Sequence, residues 1–408
     1  MSRNTTFVIV GGGLAGAKAA EALRDNDFDG HVLLLDAEER LPYERPPLSK
    51  EFLAGKKSLE DFTVHDAAWF RDHNIALRPG AEVTGIDRDN HAVTLPDGES
   101  VSYDKLLLAT GSRSKHPNLP GAEADGVYYL RDIGDAEKLS DALTYAPKLG
   151  VIGGGWIGME VAASARQRGV EVTVVESGEL PLLAALGPEM AEVFAELHRE
   201  HGVDLRTKTG VDEIVTTDGK ATGLKLDDGA TVECDAVLIA VGAAPNIDIA
   251  DAAGLELADG GIAVDAALRS SDPDIFAVGD IAAAEHPSLG VRIRTEHWAN
   301  ALKQPATAVA AMLGRDAAYD ELPYFYTDQY DLGMEYVGHS EGYQKVVTRG
   351  DVGKREFTAF WLGADGRVLA GMNVNLWDGL DDIKELIRSK RPVDPQRLAD
   401  PEVPLADL

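Results

Sequence analysis

Cysteine is almost absent from this chain: its 408 residues contain one, Cys234. A lone thiol cannot close an intrachain disulfide, so a dithiol redox mechanism is excluded. Set in the apolar-flanked segment Thr231 to Val241, Cys234 is expected to be a buried strand residue. The ten histidines include no HExxH motif and no His/Cys cluster, so no metal site is expected. Basic residues are scarce as well, with 39 Lys and Arg against 69 Asp and Glu for a net charge of −30. That balance argues against nucleic acid or an anionic membrane as partner, because both demand clustered Lys and Arg. No apolar run approaches transmembrane length, and Met1-Ser2-Arg3 leads into an apolar strand without a signal-peptide pattern. A cytoplasmic location is the resulting expectation. A chain of this length is long enough for two or three domains.

What the chain has is glycine in a repeated arrangement. Gly11-Gly12-Gly13-Leu14-Ala15-Gly16 and Gly153-Gly154-Gly155-Trp156-Ile157-Gly158 are both GxGxxG fingerprints. Each follows a short apolar strand (Phe7 to Val10; Leu149 to Ile152), opens an alanine-rich helix, and precedes a second strand that ends in an acid. The acids, Asp36 and Glu176, lie 20 and 18 residues beyond the third glycine. In such a unit the glycines allow a tight turn, close approach of backbone to a pyrophosphate and helix–sheet contact, while the acid accepts from ribose hydroxyls. Two complete units predict two dinucleotides held at once, which narrows the chemistry to redox.

The segments that follow the fingerprints also correspond. Ala81 to Gly111 and Val211 to Gly242 each read as strands joined by Asp-Gly turns, ending in Thr-Gly or Val-Gly. The chain thus reads as internally duplicated. Glu176 is followed by Ser177, Gly178 and Glu179, with no adjacent Arg or Lys for a ribose 2′-phosphate. NADH is therefore expected over NADPH.

Beyond the second unit, Ser271 to Asp280 reads as a strand delivering an acid at a turn. The order GxGxxG, Ala109-Thr110-Gly111, GxGxxG, Val241-Gly242-Ala243-Ala244-Pro245-Asn246 and Phe276-Ala277-Val278-Gly279-Asp280 resembles the two-dinucleotide flavoprotein reductases, which include glutathione reductase. Within them, Leu41 to Lys50 (LPYERPPLSK) and Tyr326-Thr327-Asp328-Gln329-Tyr330 resemble the FAD-dependent ferredoxin reductases of bacterial oxygenase systems.

The resemblance implies an α/β protein with two Rossmann-like domains and a C-terminal α+β domain: residues 1–111 with 243–322 for FAD, 112–242 for NADH and 323–408 as the last domain. It implies Gly11, Gly13, Leu14, Ala15 and Gly16 at the FAD pyrophosphate and Asp36 on the adenosine ribose. Val83 would begin a strand facing adenine, and Arg45, Lys50 and Arg131 would supply positive charge to the flavin nucleotide. Ala109, Thr110 and Gly111 join that set, with Gly279 and Asp280 at the ribitol and Trp298 at the pyrimidine end. For NADH it implies Gly153, Gly155, Ile157, Gly158, Glu160, Glu176, Val241 and Gly242. Lys50, Glu160 and Glu296 would be the positioning groups for hydride transfer, since no amino-acid base or nucleophile is needed. The implied activity is NADH-dependent reduction of a 2Fe–2S ferredoxin that serves an oxygenase, by a monomer or weak dimer. An NADH oxidase or peroxidase and a signalling flavoprotein similar to apoptosis-inducing factor are the rival readings. Arg292, Arg294 and Lys303 would form a local basic patch for an acidic ferredoxin. Pro323-Tyr324-Phe325-Tyr326 departs from the tryptophan-bearing segment frequent in this group.

Overall fold

The computed structural model describes residues 5–408, so the Met1-Ser2-Arg3 reading lies outside the described residues. They form two compact units, one built from the described residues through Glu44 with Glu60–Arg113 and Ala244–Phe325, the other from Arg45–Leu59, Ser114–Ala243 and Tyr326–Leu408.

In the first unit a five-stranded sheet runs Ile275–Ala277, Lys105–Leu108, Thr6–Val10, His31–Leu35, Ile75–Arg78, with every neighbour parallel. Its strands are near-continuous apolar runs because a parallel sheet is covered on both faces. Phe7, Val8, Ile9, Leu34, Leu106 and Leu107 are all at most 1% exposed. Helix Leu14–Asp25 follows the first strand, and its alanines Ala17, Ala19 and Ala20 are fully buried. A three-stranded antiparallel sheet, Gly85–Asp87, Ala92–Thr94 and Ser100–Ser102, is the insert that follows.

The second unit repeats this plan. Its parallel sheet runs Val127–Tyr128, Ala236–Ile239, Lys148–Ile152, Glu171–Val175, Asp204–Arg206. Helix Trp156–Gln167 follows the central strand, and the insert is Val211–Thr217, Lys220–Leu226 and Thr231–Glu233. The same unit carries a five-stranded sheet in the order Tyr324–Gln329, Leu332–Gly338, Val368–Val374, Glu356–Leu362, Lys345–Asp351, closed by helix Leu380–Ser389. Trp361 of that sheet is fully buried, and its Nε1 donates to Leu186 O at 3.1 Å. The fold is the expected mixed α/β architecture of parallel-sheet nucleotide-binding folds with a C-terminal antiparallel sheet. Among the described residues no helix is long and apolar enough to cross a membrane.

Two local expectations need correction. Val83 does not begin a strand: the strand is Gly85–Asp87, its approach marked by Thr84 N donating to Thr94 O at 2.8 Å. Val83 is instead an 8% exposed member of the apolar core. Cys234 is buried, but it sits in the link between strands Thr231–Glu233 and Ala236–Ile239 rather than within one.

Candidate functional site

The first fingerprint is a turn in which two glycines are demanded by the chain itself. Gly11 has φ +106°, and a Cβ there would lie 2.3 Å from Ala109 O; one on Gly16 would lie 1.9 Å from Gly11 O. Gly13 is different. It is the N-cap of helix Leu14–Asp25 in ordinary extended backbone (φ −70°, ψ −170°), with no side-chain hydrogen bond capping the helix, and its Cβ would meet nothing within 4 Å. Neither backbone nor packing needs glycine there, and its lack of a side chain leaves the helix start open to the approach of an outside group. An anionic pyrophosphate is such a group, favoured by the unpaired N–H groups and the helix dipole.

The second fingerprint repeats the pattern residue for residue. Gly153 (φ +103°) would place a Cβ 2.5 Å from Ala240 O, and Gly158 one 2.2 Å from Gly153 O. Gly155, the extended N-cap of helix Trp156–Gln167 (φ −78°, ψ −177°), would again meet nothing within 4 Å. Ile157 projects from the first turn of that helix, 37% exposed despite being apolar.

The two strand-ending acids stand beside these turns. A Cβ on Gly12 would fall 2.3 Å from Asp36 Oδ2, so the 8% exposed Asp36 carboxylate lies against the first turn. Glu176 is tied more firmly: Oε2 accepts from Gly154 N at 2.7 Å and Oε1 from Gly178 N at 2.6 Å. The carboxylate therefore shapes the turn, and Ser177 Oγ lies a further 3.5 Å from its Oε1. No Arg or Lys follows Glu176 directly in sequence, but the fold brings one to its turn from a distant segment. Strand Asp204–Arg206 pairs with Glu171–Val175, and just beyond it Lys208 N donates to Gly178 O at 2.7 Å while Lys208 Nζ meets Glu179 Oε1 at 2.6 Å.

In the first unit the Ala109-Thr110-Gly111 segment is locked to Asn246: Thr110 Oγ1 donates to Asn246 O at 2.7 Å, Asn246 Nδ2 to Thr110 O at 2.8 Å and Asn246 N to Gly111 O at 2.8 Å. Gly279 and Asp280 open a short 3-10 turn after strand Ile275–Ala277. Two residues not singled out from sequence hold it. Gln304, 2% exposed, accepts from Gly279 N at 2.7 Å, and Ser112 Oγ donates to Asp280 Oδ2 at 2.9 Å. Trp298 is the first residue of helix Trp298–Met312, and its Nε1 donates to Glu44 Oε2 at 3.1 Å. Glu296 pairs with Arg294 at 2.9 Å.

In the second unit Lys50 and Glu160 form a buried pair, 9% and 6% exposed, with Nζ 3.0 Å from Oε2. Ser49 Oγ also donates to Oε2 at 2.5 Å and Thr327 Oγ1 to Oε1 at 2.7 Å, so the buried carboxylate has three donors. Behind Thr327, Gln329 Nε2 donates to its Oγ1 at 3.2 Å, and His198 Nε2 lies 2.8 Å from Gln329 Oε1. Burial pushes the His198 pKa down to about 4. Lys50 Nζ further donates to Pro46 O at 3.1 Å and lies 5.6 Å from the Tyr326 ring centre. Arg45 donates to Arg131 O at 2.6 Å. Val241 is 38% exposed and Gly242 has φ +106° at the end of the sheet. Burial also raises the Cys234 thiol to about 11, which leaves it protonated and unreactive.

The basic patch is not a set of loose charges. Arg292 donates to Val264 O and Ala283 O, each at 2.7 Å, and pairs with Glu285; Arg294 donates to Asp259 O and Asp280 O; Lys303 meets Glu321 at 3.2 Å. Among the described residues no group of three or more His, Cys, Asp or Glu could hold a metal ion.

Comparison with known proteins gives this geometry its context. The profile of the pyridine nucleotide-disulphide oxidoreductases matches residues 5–305, and that of a reductase C-terminal domain residues 324–408. The chain belongs to the pyridine nucleotide-disulphide oxidoreductase family. Its relatives include the ferredoxin–NAD(+) reductase component of the anthranilate 1,2-dioxygenase system of Burkholderia cepacia, 42% identical over 98% of both chains. Among solved structures, the ferredoxin reductase for the CYP199A2 system of Rhodopseudomonas palustris superposes with a TM-score of 0.95 at 35% identity, covering 99% of each chain. The reductase of the covalent putidaredoxin reductase–putidaredoxin complex does so with 0.95 at 36%, covering 100% of this chain and 98% of that one. As a member of this oxidoreductase family the chain uses FAD and NAD(H), and the two open glycine-led helix starts are a fit for two dinucleotides.

Proposed function

We propose that the chain is an NADH-dependent flavoprotein reductase that passes electrons one at a time to a 2Fe–2S ferredoxin serving an oxygenase, and that it acts in the cytoplasm. The carrying observation is the pair of fingerprints whose middle glycines, Gly13 and Gly155, are required by nothing within the chain. FAD supplies the conversion, taking two electrons as a hydride and yielding them singly, while protein groups bind, orient and tune. In this reading Gly13 and Gly155 bare the N–H groups that receive the two pyrophosphates. Asp36 and Glu176 accept from the ribose hydroxyls, and Asp280, held by Ser112 on a turn that Gln304 anchors at Gly279, accepts from the ribitol. Lys50 and Glu160 are the positioning pair, each fixing the other's charge in a buried place.

The ferredoxin is supported by the named relatives, which the chain matches from end to end. A thiol-dependent oxidase or peroxidase is disfavoured by the sole cysteine, buried beneath the second sheet's insert with its pKa raised to about 11. The test is an anaerobic titration. NADH should bleach the bound flavin at one equivalent, and oxidised 2Fe–2S ferredoxin should restore the colour at two equivalents. Flavin that bleaches but is reoxidised only by dioxygen or peroxide would refute the reading.

A further inference from the structure

The turn after strand Glu171–Val175 brings together charges far apart in sequence. Lys208 is bound to it through backbone: its own N–H donates to Gly178 O at 2.7 Å, and the next residue's, Thr209 N, donates to Glu176 O at 3.1 Å. Lys208 sits there in left-handed conformation, φ +53°, so the start of its side chain is fixed by the turn rather than by the ion pair. The side chain is exposed, as is that of Glu179, at 66% and 64%, and the two meet at 2.6 Å. The hydrogen bond from Lys208 holds the Glu179 carboxyl below its usual range.

A ribose whose hydroxyls face Glu176 has its 2′ position at this turn. A 2′-phosphate there would confront Glu176 and Glu179, while the Lys208 ammonium is already neutralised by Glu179 and the Arg206 guanidinium is paired with Asp204. We propose that Glu179 is a specificity-determining residue: by holding Lys208 it denies a 2′-phosphate its cationic partner, and so enforces NADH over NADPH together with Glu176. The inference rests on the reading of the second fingerprint as the nicotinamide-nucleotide site. Lys208 needs no new backbone position to change roles, because an ammonium on a flexible four-carbon stem can turn from carboxylate to phosphate. Because the pair is exposed, the effect is moderate and weakened by salt.

The test is calorimetric binding of ADP-ribose and of 2′-phospho-ADP-ribose to the FAD-loaded protein. Neither can transfer hydride, so the readout is affinity alone. Glu179→Gln should leave ADP-ribose affinity within about 2-fold and tighten the 2′-phosphorylated ligand about 3- to 5-fold, the upper scale of one exposed charge pair made available. Adding Lys208→Met should abolish that gain. Unchanged 2′-phospho-ADP-ribose affinity in Glu179→Gln, or a gain that survives loss of Lys208, would overturn the proposal while ADP-ribose binding stays intact. Absence of ADP-ribose binding to the unaltered protein would instead overturn the underlying site reading, and the proposal with it.

Discussion

Replacing Gly155 by Val should separate folding from nucleotide binding, and the expected sizes follow from the geometry. Gly155 is in extended backbone with nothing within 4 Å of a Cβ. The cost to stability is that of a poor N-cap residue, about 0.5–1 kcal/mol. For the ligand, the isopropyl group occupies the approach to the N–H groups at the start of helix Trp156–Gln167. Losing even one or two charge-assisted hydrogen bonds, worth about 1.5–3 kcal/mol each, weakens binding by roughly 100-fold. Gly153→Ala should behave in the opposite sense. Its φ of +103° and a Cβ 2.5 Å from Ala240 O combine backbone strain of about 1–3 kcal/mol with a close contact, so stability suffers first. Urea unfolding and calorimetric titration with NAD+ measure both quantities. Wild-type affinity in Gly155→Val, or a loss of stability as large as that of Gly153→Ala, would refute the argument that Gly155 is there for a ligand.

Three further outcomes are expected. Glu176→Gln should lower stability by about 1–3 kcal/mol besides weakening NAD+ binding, since an amide cannot accept from both Gly154 N and Gly178 N; an unchanged urea midpoint would contradict the structural role. His198 is fully buried with its pKa pushed down to about 4, so below its ordinary value of about 6.5 the unfolded chain takes up a proton that the folded chain refuses. Stability from this group is complete above about pH 6.5 and falls by about 3 kcal/mol as pH drops to about 4. His198→Gln should flatten that part of the pH–stability curve, and identical curves for the two proteins would refute the assignment. Arg294→Glu should loosen FAD, because Arg294 donates to Asp280 O at 3.2 Å, whereas Lys303→Glu should retain FAD and mainly raise the KM for ferredoxin. Equal FAD retention in Arg294→Glu and wild type would remove Arg294 from the support of that turn.

The parts of the fold that sequence made legible are those where local chemistry and tertiary context agree. Thr6–Val10 and Lys148–Ile152 are apolar runs that end in glycine turns, and the Asp218-Gly219 and Asp228-Gly229 turns lie where the second insert folds back. Strand Tyr324–Gln329 stood out as a motif but not as a strand, because its fully buried alternate positions, Thr327 and Gln329, are polar. They face inward to serve Glu160 and His198, a reason no hydrophobic alternation could carry. Lys208 was invisible beside Glu176 for another reason: 32 positions separate them, and only the pairing of Asp204–Arg206 with Glu171–Val175 joins their turns. Gln304 and Ser112 reach the Gly279-Asp280 turn through comparable long-range packing. Asp36 and Glu176 show a subtler limit. Spacing located both acids, yet only the structure shows that Glu176 spends one lone pair of each oxygen on its own backbone.

The most direct measurement of the central claim is NADH-dependent reduction of cytochrome c by the FAD-loaded protein, with and without an added 2Fe–2S ferredoxin of an oxygenase system. Turnover should be slow alone and rise saturably with ferredoxin, with NADH far more effective than NADPH. A rate that ignores every such ferredoxin while the flavin is readily reduced by NADH would contradict the account.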